Sequence, residues 1–426
     1  MKTLDQIAAA LQGYDPQALS AAAVNTFLAE LVSPVTDVET VGVFDALGRV
    51  LAEDVVSPIS VPPHDNSAMD GYALDGAQLR PDQPLTLRVL DGTAFAGKAW
   101  SGNVAAGECV KIMTGAIMPA GLDTVVPQEM TQAGEGRITI PAGALQRGDN
   151  RRLLGEDLMV GRPALRAGAK LGPAALGLIA SLGLPAVKVF RRLKVAYFST
   201  GDEILSLGEA PREGAVYDSN RYTVFGLLTR LGVEVIDMGV VRDEPTTLEV
   251  AFRAAAAQAD AIITSGGVSV GEADHTKAMM KKLGDVAFWR IAMRPGRPMA
   301  VGRLESGAIM FGLPGNPVAV MVTFLAFVRP ALLKLMGVAD VAAHTPPLLK
   351  AKSLEPMRKK PGRTEYQRGT VSTAPDGTLQ VCTTGNQGSG VLSSMVQGNG
   401  LIVLHHGQGN VAVGDEVDVM VFSGVI

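Results

Sequence analysis

Thr264-Ser265-Gly266-Gly267-Val268-Ser269-Val270-Gly271-Glu272-Ala273-Asp274-His275-Thr276-Lys277 follows directly on the apolar run Ala261-Ile262-Ile263. An apolar run that ends in small polar and glycine residues predicts a buried strand entering a turn, and residues 273–283 then predict a helix. A strand–turn–helix of this kind leaves backbone N–H groups aimed at one point, where they hold phosphate or another oxyanion. Glu272 and Asp274 add two carboxylates at the mouth of the helix. Carboxylates repel a bare phosphate, so their presence predicts a hard cation such as Mg²⁺ between acid and anion. A second turn, Leu313-Pro314-Gly315-Asn316-Pro317, repeats the arrangement further along. Together the two turns point to phosphate chemistry on a nucleotide-like ligand.

Strands and helices alternate on both sides of the first turn. Strands are predicted over 193–198, 233–238, 261–264, 286–291 and 308–311, with helices over 220–231, 246–259, 273–283 and 318–335. This alternation predicts a doubly wound parallel sheet covered on both faces, with ligands at the carboxyl ends of its strands. Upstream, residues 17–32 and 41–51 carry helical periodicity. From 59 to 150 the texture changes to short apolar runs broken by glycine and proline, the mark of a β-rich unit. Residues 151–188 return to a partly helical texture, so the β-rich piece reads as an insertion. After Pro346-Pro347 the chain is again β-like. The expected fold is multidomain α/β. A helical or mixed N-terminal domain is formed by 1–60 plus 151–188, a β-rich domain (61–150) is inserted in it, an α/β domain spans 189–340, and a β domain spans 341–426.

Bulk properties narrow the function. At 426 residues with 47% hydrophobic content the chain exceeds one ordinary core. A net charge of −4 gives no basic surface for nucleic acid. The longest apolar run, between Pro317 and Arg329, is short of the roughly 18–20 residues of a membrane span. The first residues lack a signal-peptide pattern, and two distant cysteines, Cys109 and Cys382, fit a reducing compartment. A cytoplasmic enzyme with neither nucleic-acid nor membrane partner is expected.

Three predicted strand ends deliver acids to one sheet edge: Phe198–Glu203, Val241–Pro245 and Ser265–Asp274. Their convergence brings Glu203, Asp243 and Asp274 together, a grouping that a divalent cation neutralises. Each acid taken alone also suits a helix N-cap. Arg290, Arg294 and Arg297 lie at or beyond the end of the fourth strand, and Pro295 and Pro298 stiffen the run Arg294-Pro295-Gly296-Arg297-Pro298. Guanidinium groups held this way suit bidentate oxyanion binding better than a casual surface loop. In the inserted region, Asp70-Gly71 reads locally as a turn, Lys111–Ala116 as a strand ending on Thr114 and Gly115, and Arg151-Arg152 stands close to Glu156 and Asp157. No histidine pair has metal spacing and no Ser/His/Asp or Cys/His nucleophile stands out. Phe288, Trp289, Tyr366 and Phe422 read as core.

Thr264–Lys277 and Leu313–Pro317, together with Asn66–Ala73, Ile112–Ala116 and Ser199–Glu203, closely resemble the molybdopterin molybdenumtransferase family. This is the bacterial MoeA type, also found as the E domain of eukaryotic gephyrin. The resemblance runs in order from residue 20 to the C-terminus. It implies a four-domain homodimer whose active site lies between the α/β domain of one subunit and the inserted domain of the other. The family's functional acids fall on Asp70, Asp157, Glu203, Asp243 and Asp274, with Thr114 beside them; Arg152 is placed with the substrate-binding residues. Its phosphate turns fall on Ser265, Gly266, Gly267, Ser269 and Gly271, and on Pro314, Gly315, Asn316 and Pro317. Arg368 and the serines of 388–394, Ser394 included, match segments lining the same cleft. Many members carry lysines where this chain has Arg290, Arg294 and Arg297, which keeps the charge but replaces a mobile amine by a fixed fork.

The resemblance implies insertion of molybdenum into adenylylated molybdopterin, with molybdate as second substrate, AMP as product and Mg²⁺ held by Asp243 and Asp274 with Glu203. A molybdopterin adenylyltransferase and apo-molybdoenzymes are the implied partners. Two other readings stand beside it. One is an adenylyltransferase or nucleotide amidohydrolase on the same α/β fold, and the other is a non-catalytic, gephyrin-like scaffold.

Overall fold

The computed structural model describes residues 2–268 and 275–425. Six strands form the central sheet: β1 (Lys194–Thr200), β2 (Glu234–Val241), β3 (Ala261–Ser265), β4 (Gly284–Arg290), β5 (Pro298–Leu304) and β6 (Ile309–Leu313). Their order is β2-β1-β3-β6-β5-β4. The first four in that order are mutually parallel, whereas β5 runs antiparallel to both β6 and β4. The sheet is therefore mixed, not parallel throughout as the alternation predicts. Residues 291–297 are too few for the dozen or so that a parallel crossover needs, so β4 and β5 can only fold back on each other. β5 escaped the sequence reading because Pro295 and Pro298 disguise it. Pro298 opens the strand, where its missing N–H is tolerated.

Four helices connect the sheet: α1 (Ser219–Leu231), α2 (Pro245–Ala256), α3 (His275–Leu283) and α4 (Pro317–Leu335). Asp218 caps α1 by accepting the Arg221 N–H at 3.0 Å, and Gly232 ends it in the left-handed region. α2 and α3 cover one face through Leu248, Phe252, Met279 and Met280; α1 and α4 cover the other. Helix α4 is apolar on all sides and long enough by composition to cross a membrane. In the fold, 83% of its apolar window is buried, which makes it the central core helix.

Residues 4–10 and 21–31 are helices that join this same core, with Phe27 set edge-on to Trp289 at 4.8 Å. The helix expected over 41–51 is absent. Val38–Gly42 is a strand paired antiparallel with Ala186–Phe190, followed by one tight turn at Val43–Ala46. The apolar pattern of 41–51 suits either state, and the alternating partner strand decides it by burying Leu51, Val187 and Val189 together. The inserted sheet spans Gly71–Leu74 to Arg137–Ile140 and buries apolar side chains on both faces. Within it, Asp70-Gly71 is not a turn. Gly71 opens a central strand, where an added Cβ would lie 1.9 Å from the Val126 carbonyl oxygen. In the C-terminal region, pairing of Thr364–Thr373 with both Leu379–Thr383 and Gly400–Leu404 closes five strands into a barrel.

One ion cluster ties the strand pair at 38–42 and 186–190 to the central sheet. Arg191 binds Asp260 through two bonds of 2.7 Å and Asp37 at 2.8 Å, and Asp260 also accepts the Lys194 N–H. Burial pushes the Asp260 carboxyl up, but Arg191 and the Lys194 amide outweigh it and hold the group below its ordinary value. Its contribution is therefore fully present above the unfolded carboxylate range and is lost as pH falls through the lowered folded value. Asp260→Asn is expected to cost about 1–2 kcal/mol at pH 7. Urea unfolding should show the gap to wild type closing below about pH 4. Gly71→Ala faces backbone on one side and cannot relieve the clash; it is expected to lose about 2–3 kcal/mol, read as a lower thermal midpoint.

Candidate active site

In an open α/β sheet the crevice lies where strand order reverses, here between β1 and β3. Their carboxyl ends supply Thr200 and Ser265. Gly266 (φ +89°) follows β3 at once, and a Cβ there would lie 2.2 Å from the Thr200 carbonyl oxygen. Gly267 (φ +63°) is pressed on Thr276 in the first turn of α3. Beneath them Tyr197 shares its hydroxyl with Ser199 at 2.8 Å and Ser265 at 2.7 Å. Not every amide of these turns is open to a ligand. The Gly266 N–H donates to the Leu313 carbonyl, and the Val318 N–H, in the first turn of α4, donates to that of Ser389. The Gly315 carbonyl accepts from Asn220 Nδ2 at 2.8 Å.

A cavity of about 690 Å³ opens over this junction. Gly266, Gly267, Pro314, Gly315 and Asn316 form one wall, the loop 293–298 a second, and Arg363 with 387–389 from the C-terminal barrel a third. Arg294 and Arg297 are exposed to it while Pro295 and Gly296 between them are buried. Gly296 (φ +92°) fits against Thr323 of α4, so the loop is seated on the core helix and its two guanidinium groups start from a fixed backbone. Arg363 adds a third, paired with Glu365 at 2.7 Å. Among the described residues, Glu203 is the one acid in the lining. The cavity is therefore an electropositive bowl with a carboxylate on its rim.

Several expected residues fall elsewhere. Arg290 lies on β4 outside the cavity lining, its amide bonded to the Pro16 carbonyl. Arg368 is 1% exposed: its Nε donates to Ser394 Oγ at 2.9 Å, and its Nη2 to the Asn386 and Gly388 carbonyls. Arg368 and Ser394 thus brace the 386–389 loop from behind instead of lining the cleft. Asp243 is half-buried and accepts the Thr276 hydroxyl at 3.1 Å, next to Gly267. Ser269, Gly271 and Asp274 lie outside the described residues. Among the described residues no group of three His, Cys, Asp or Glu side chains gathers as a metal site.

In the N-terminal half, Asp70 and Thr114 form a second locus. Asp70 Oδ1 accepts both the Thr114 N–H and the Thr114 hydroxyl, each at 2.7 Å, and these bonds hold its carboxyl below the usual range. Arg152 is exposed in the short strand Arg151–Arg152, and Asp157 is exposed beyond it. None of the four lines the arginine cavity. Arg363 was missed from sequence, although Lys360-Pro361-Gly362-Arg363 repeats the Pro-Gly-Arg signal of 295–297.

Comparison with known proteins accounts for almost the whole chain. It matches the MoeA N-terminal region (domain I and II) over residues 18–183, a probable molybdopterin binding domain over 196–334, and the MoeA C-terminal region (domain IV) over 350–422. It is 44% identical over 392 residues to a molybdopterin molybdenumtransferase of Haemophilus influenzae, covering 92% of this chain and 95% of that one. A protein of the same name from Nostoc sp. is 37% identical, with 90% and 88% covered. The crystal structure of a molybdopterin biosynthesis MoeA protein from Pyrococcus horikoshii OT3 superposes with a TM-score of 0.79 at 27% identity, covering 95% of this chain and 100% of that one. The motif order, the fold and these relatives agree, and the chain belongs to the MoeA family, the molybdopterin molybdenumtransferases.

Proposed function

We propose that this chain is a transferase that inserts molybdenum from molybdate into adenylylated molybdopterin and releases AMP. The observation that carries the reading is the cavity at the β1/β3 junction, where three arginines face two glycine-containing turns. Molybdate is a hard, hydrated dianion and does not approach a pyrophosphate unaided. Arg294, Arg297 and Arg363 supply the offsetting charge through planar donors. Gly266 and Gly267, where a side chain would collide with Thr200 and Thr276, let the chain turn tightly at the cavity wall. Glu203, on the rim, orients water or a protonated oxygen. Attack by water or a molybdate oxygen on phosphorus breaks the phosphoanhydride and frees AMP, and the dithiolene sulfurs of molybdopterin, which are soft ligands, take the metal.

The donor chemistry here also fits Mg²⁺. Asp243 is a carboxylate pre-oriented by Thr276 beside Gly267, and Glu203 is an exposed carboxylate on the same sheet edge. With Asp274, these residues would hold the ion, whose charge when bound offsets that of the phosphoanhydride. Asp70, Thr114, Arg152 and Asp157 enter from a second copy of the chain. Supporting this homodimer, Met69, Leu153, Leu154, Met159 and Val160, which flank those residues in sequence, are exposed apolar side chains of the kind a partner covers. The cytoplasm suits the two unpaired cysteines. An adenylyltransferase upstream and apo-molybdoenzymes downstream are the partners.

Arg294→Ala is expected to raise the molybdate concentration for half-maximal AMP release by about tenfold or more, and Arg294→Lys, which keeps the charge but not the planar fork, to recover only part of it. AMP release and reconstitution of an apo-molybdoenzyme are the readouts. Tight substrate binding without release in wild type would instead favour the scaffold reading, and AMP transfer from ATP would favour an adenylyltransferase. At the second locus, Thr114→Val removes the hydroxyl bond to Asp70 but keeps the amide bond. Carboxyl-carbon NMR titration should show the Asp70 pKa rising part of the way to the ordinary value near 3.9.

A further inference from the structure

A second cavity, of about 550 Å³, shares Glu203, Gly266, Gly315 and Asn316 with the arginine cavity. Its chemistry is the opposite. Among the described residues no arginine or lysine lines it, and its wall includes Thr200, Asp218, Asn220 and Ser265. Asp218 is 3% exposed; Oδ1 is used in capping α1, while Oδ2 has no partner among the described residues. Asn220 is 7% exposed; Nδ2 is used on the Gly315 carbonyl, while Oδ1 has no partner among the described residues. Thr200 Oγ1, at the end of β1, is likewise unpaired. Buried polar atoms are almost always satisfied, so three on one wall mark a place where a ligand completes the bonding.

Two of the three are obligate acceptors, so the ligand must bring N–H groups. The 2-amino-4-oxopyrimidine edge of a pterin presents an amino group next to a ring N–H, a pair that matches a carboxylate oxygen beside an amide oxygen. Adenine offers its amino group next to a ring acceptor and matches less well. Building on the molybdopterin reading, we propose that the pterin ring of the substrate occupies this second cavity, with its amino edge donating to Asp218 Oδ2 and Asn220 Oδ1. Both oxygens are buried from solvent, so ring entry requires a rotation of these two side chains. The anionic end of the substrate then extends across Glu203 and Gly266 toward the arginines. The bond to Asp218 is charge-assisted, which makes it the main determinant of ring identity.

The test uses the full chain and two probes: 6-hydroxymethylpterin, and 6-hydroxymethyllumazine, which carries oxygen in place of the 2-amino group. Wild type is expected to bind the pterin at least about tenfold more tightly, because a site built around an amino group rejects an analogue lacking it. Asp218→Asn keeps the helix cap but offers a donor where the acceptor stood, and should abolish the preference. Thr200→Val should weaken pterin binding while leaving the thermal midpoint unchanged or higher, since it removes an unpaired hydroxyl. Equal affinity for the two probes, or a preference that survives Asp218→Asn, overturns the proposal. GMP bound through Asp218, or stabilisation by Mg²⁺ alone that Asp218→Asn removes, overturns it in favour of a purine or a cation. AMP release measured in parallel separates the two readings: release without discrimination removes only the ring placement, and discrimination without release removes only the catalytic reading.

Discussion

The approach of Gly266 to the Thr200 carbonyl is the constraint on which the rest of the site depends. Only a residue without Cβ fits there, and only with φ in the left-handed region. That contact turns the chain sharply at the end of β3, beside the end of β1, at the point where strand order reverses. Both cavities share Gly266 as a wall, so its position sets the distance between an electropositive bowl and an acceptor-lined recess. A two-ended, phosphate-containing substrate suits such a pair of unlike neighbours.

The arginines are positioned by the core, not by surface chance. Gly296 seats the Arg294–Arg297 loop on α4, and α4 is buried along most of its length. Arg363 reaches the same space from the barrel, and buried Arg368 holds the 386–389 loop that completes the wall. Burial and the nearby charge of Arg294 both act against the Arg368 guanidinium, which answers with bonds to Ser394 and two carbonyls. A packed layer behind the cavity thus holds like charges near one another, where an oxyanion is the natural complement.

Much of this was legible because it is local. Strand–turn–helix patterns, the glycine turns and the stiff Arg-Pro-Gly-Arg run each declare themselves within a dozen residues. What depended on distant packing did not. Residues 41–51 have an apolar pattern open to helix or strand, and the strand at 186–190 resolves it. β5 hid behind two prolines, and its antiparallel course followed from a short connection that periodicity does not report. The family resemblance alone assigns Arg368 to the cleft, and its burial is not visible in the sequence. Asp70 and Thr114 lie on separate segments and meet only through the strand pairing of Gly71 with Ile112.

The most direct test of the central claim is to locate molybdate bound to the protein by anomalous diffraction at the molybdenum edge. The account predicts one strong molybdenum peak in the arginine cavity, within hydrogen-bonding reach of Arg294 and Arg297, weakened in Arg297→Ala. A peak elsewhere in the molecule, or one in this cavity indifferent to that substitution, would contradict it.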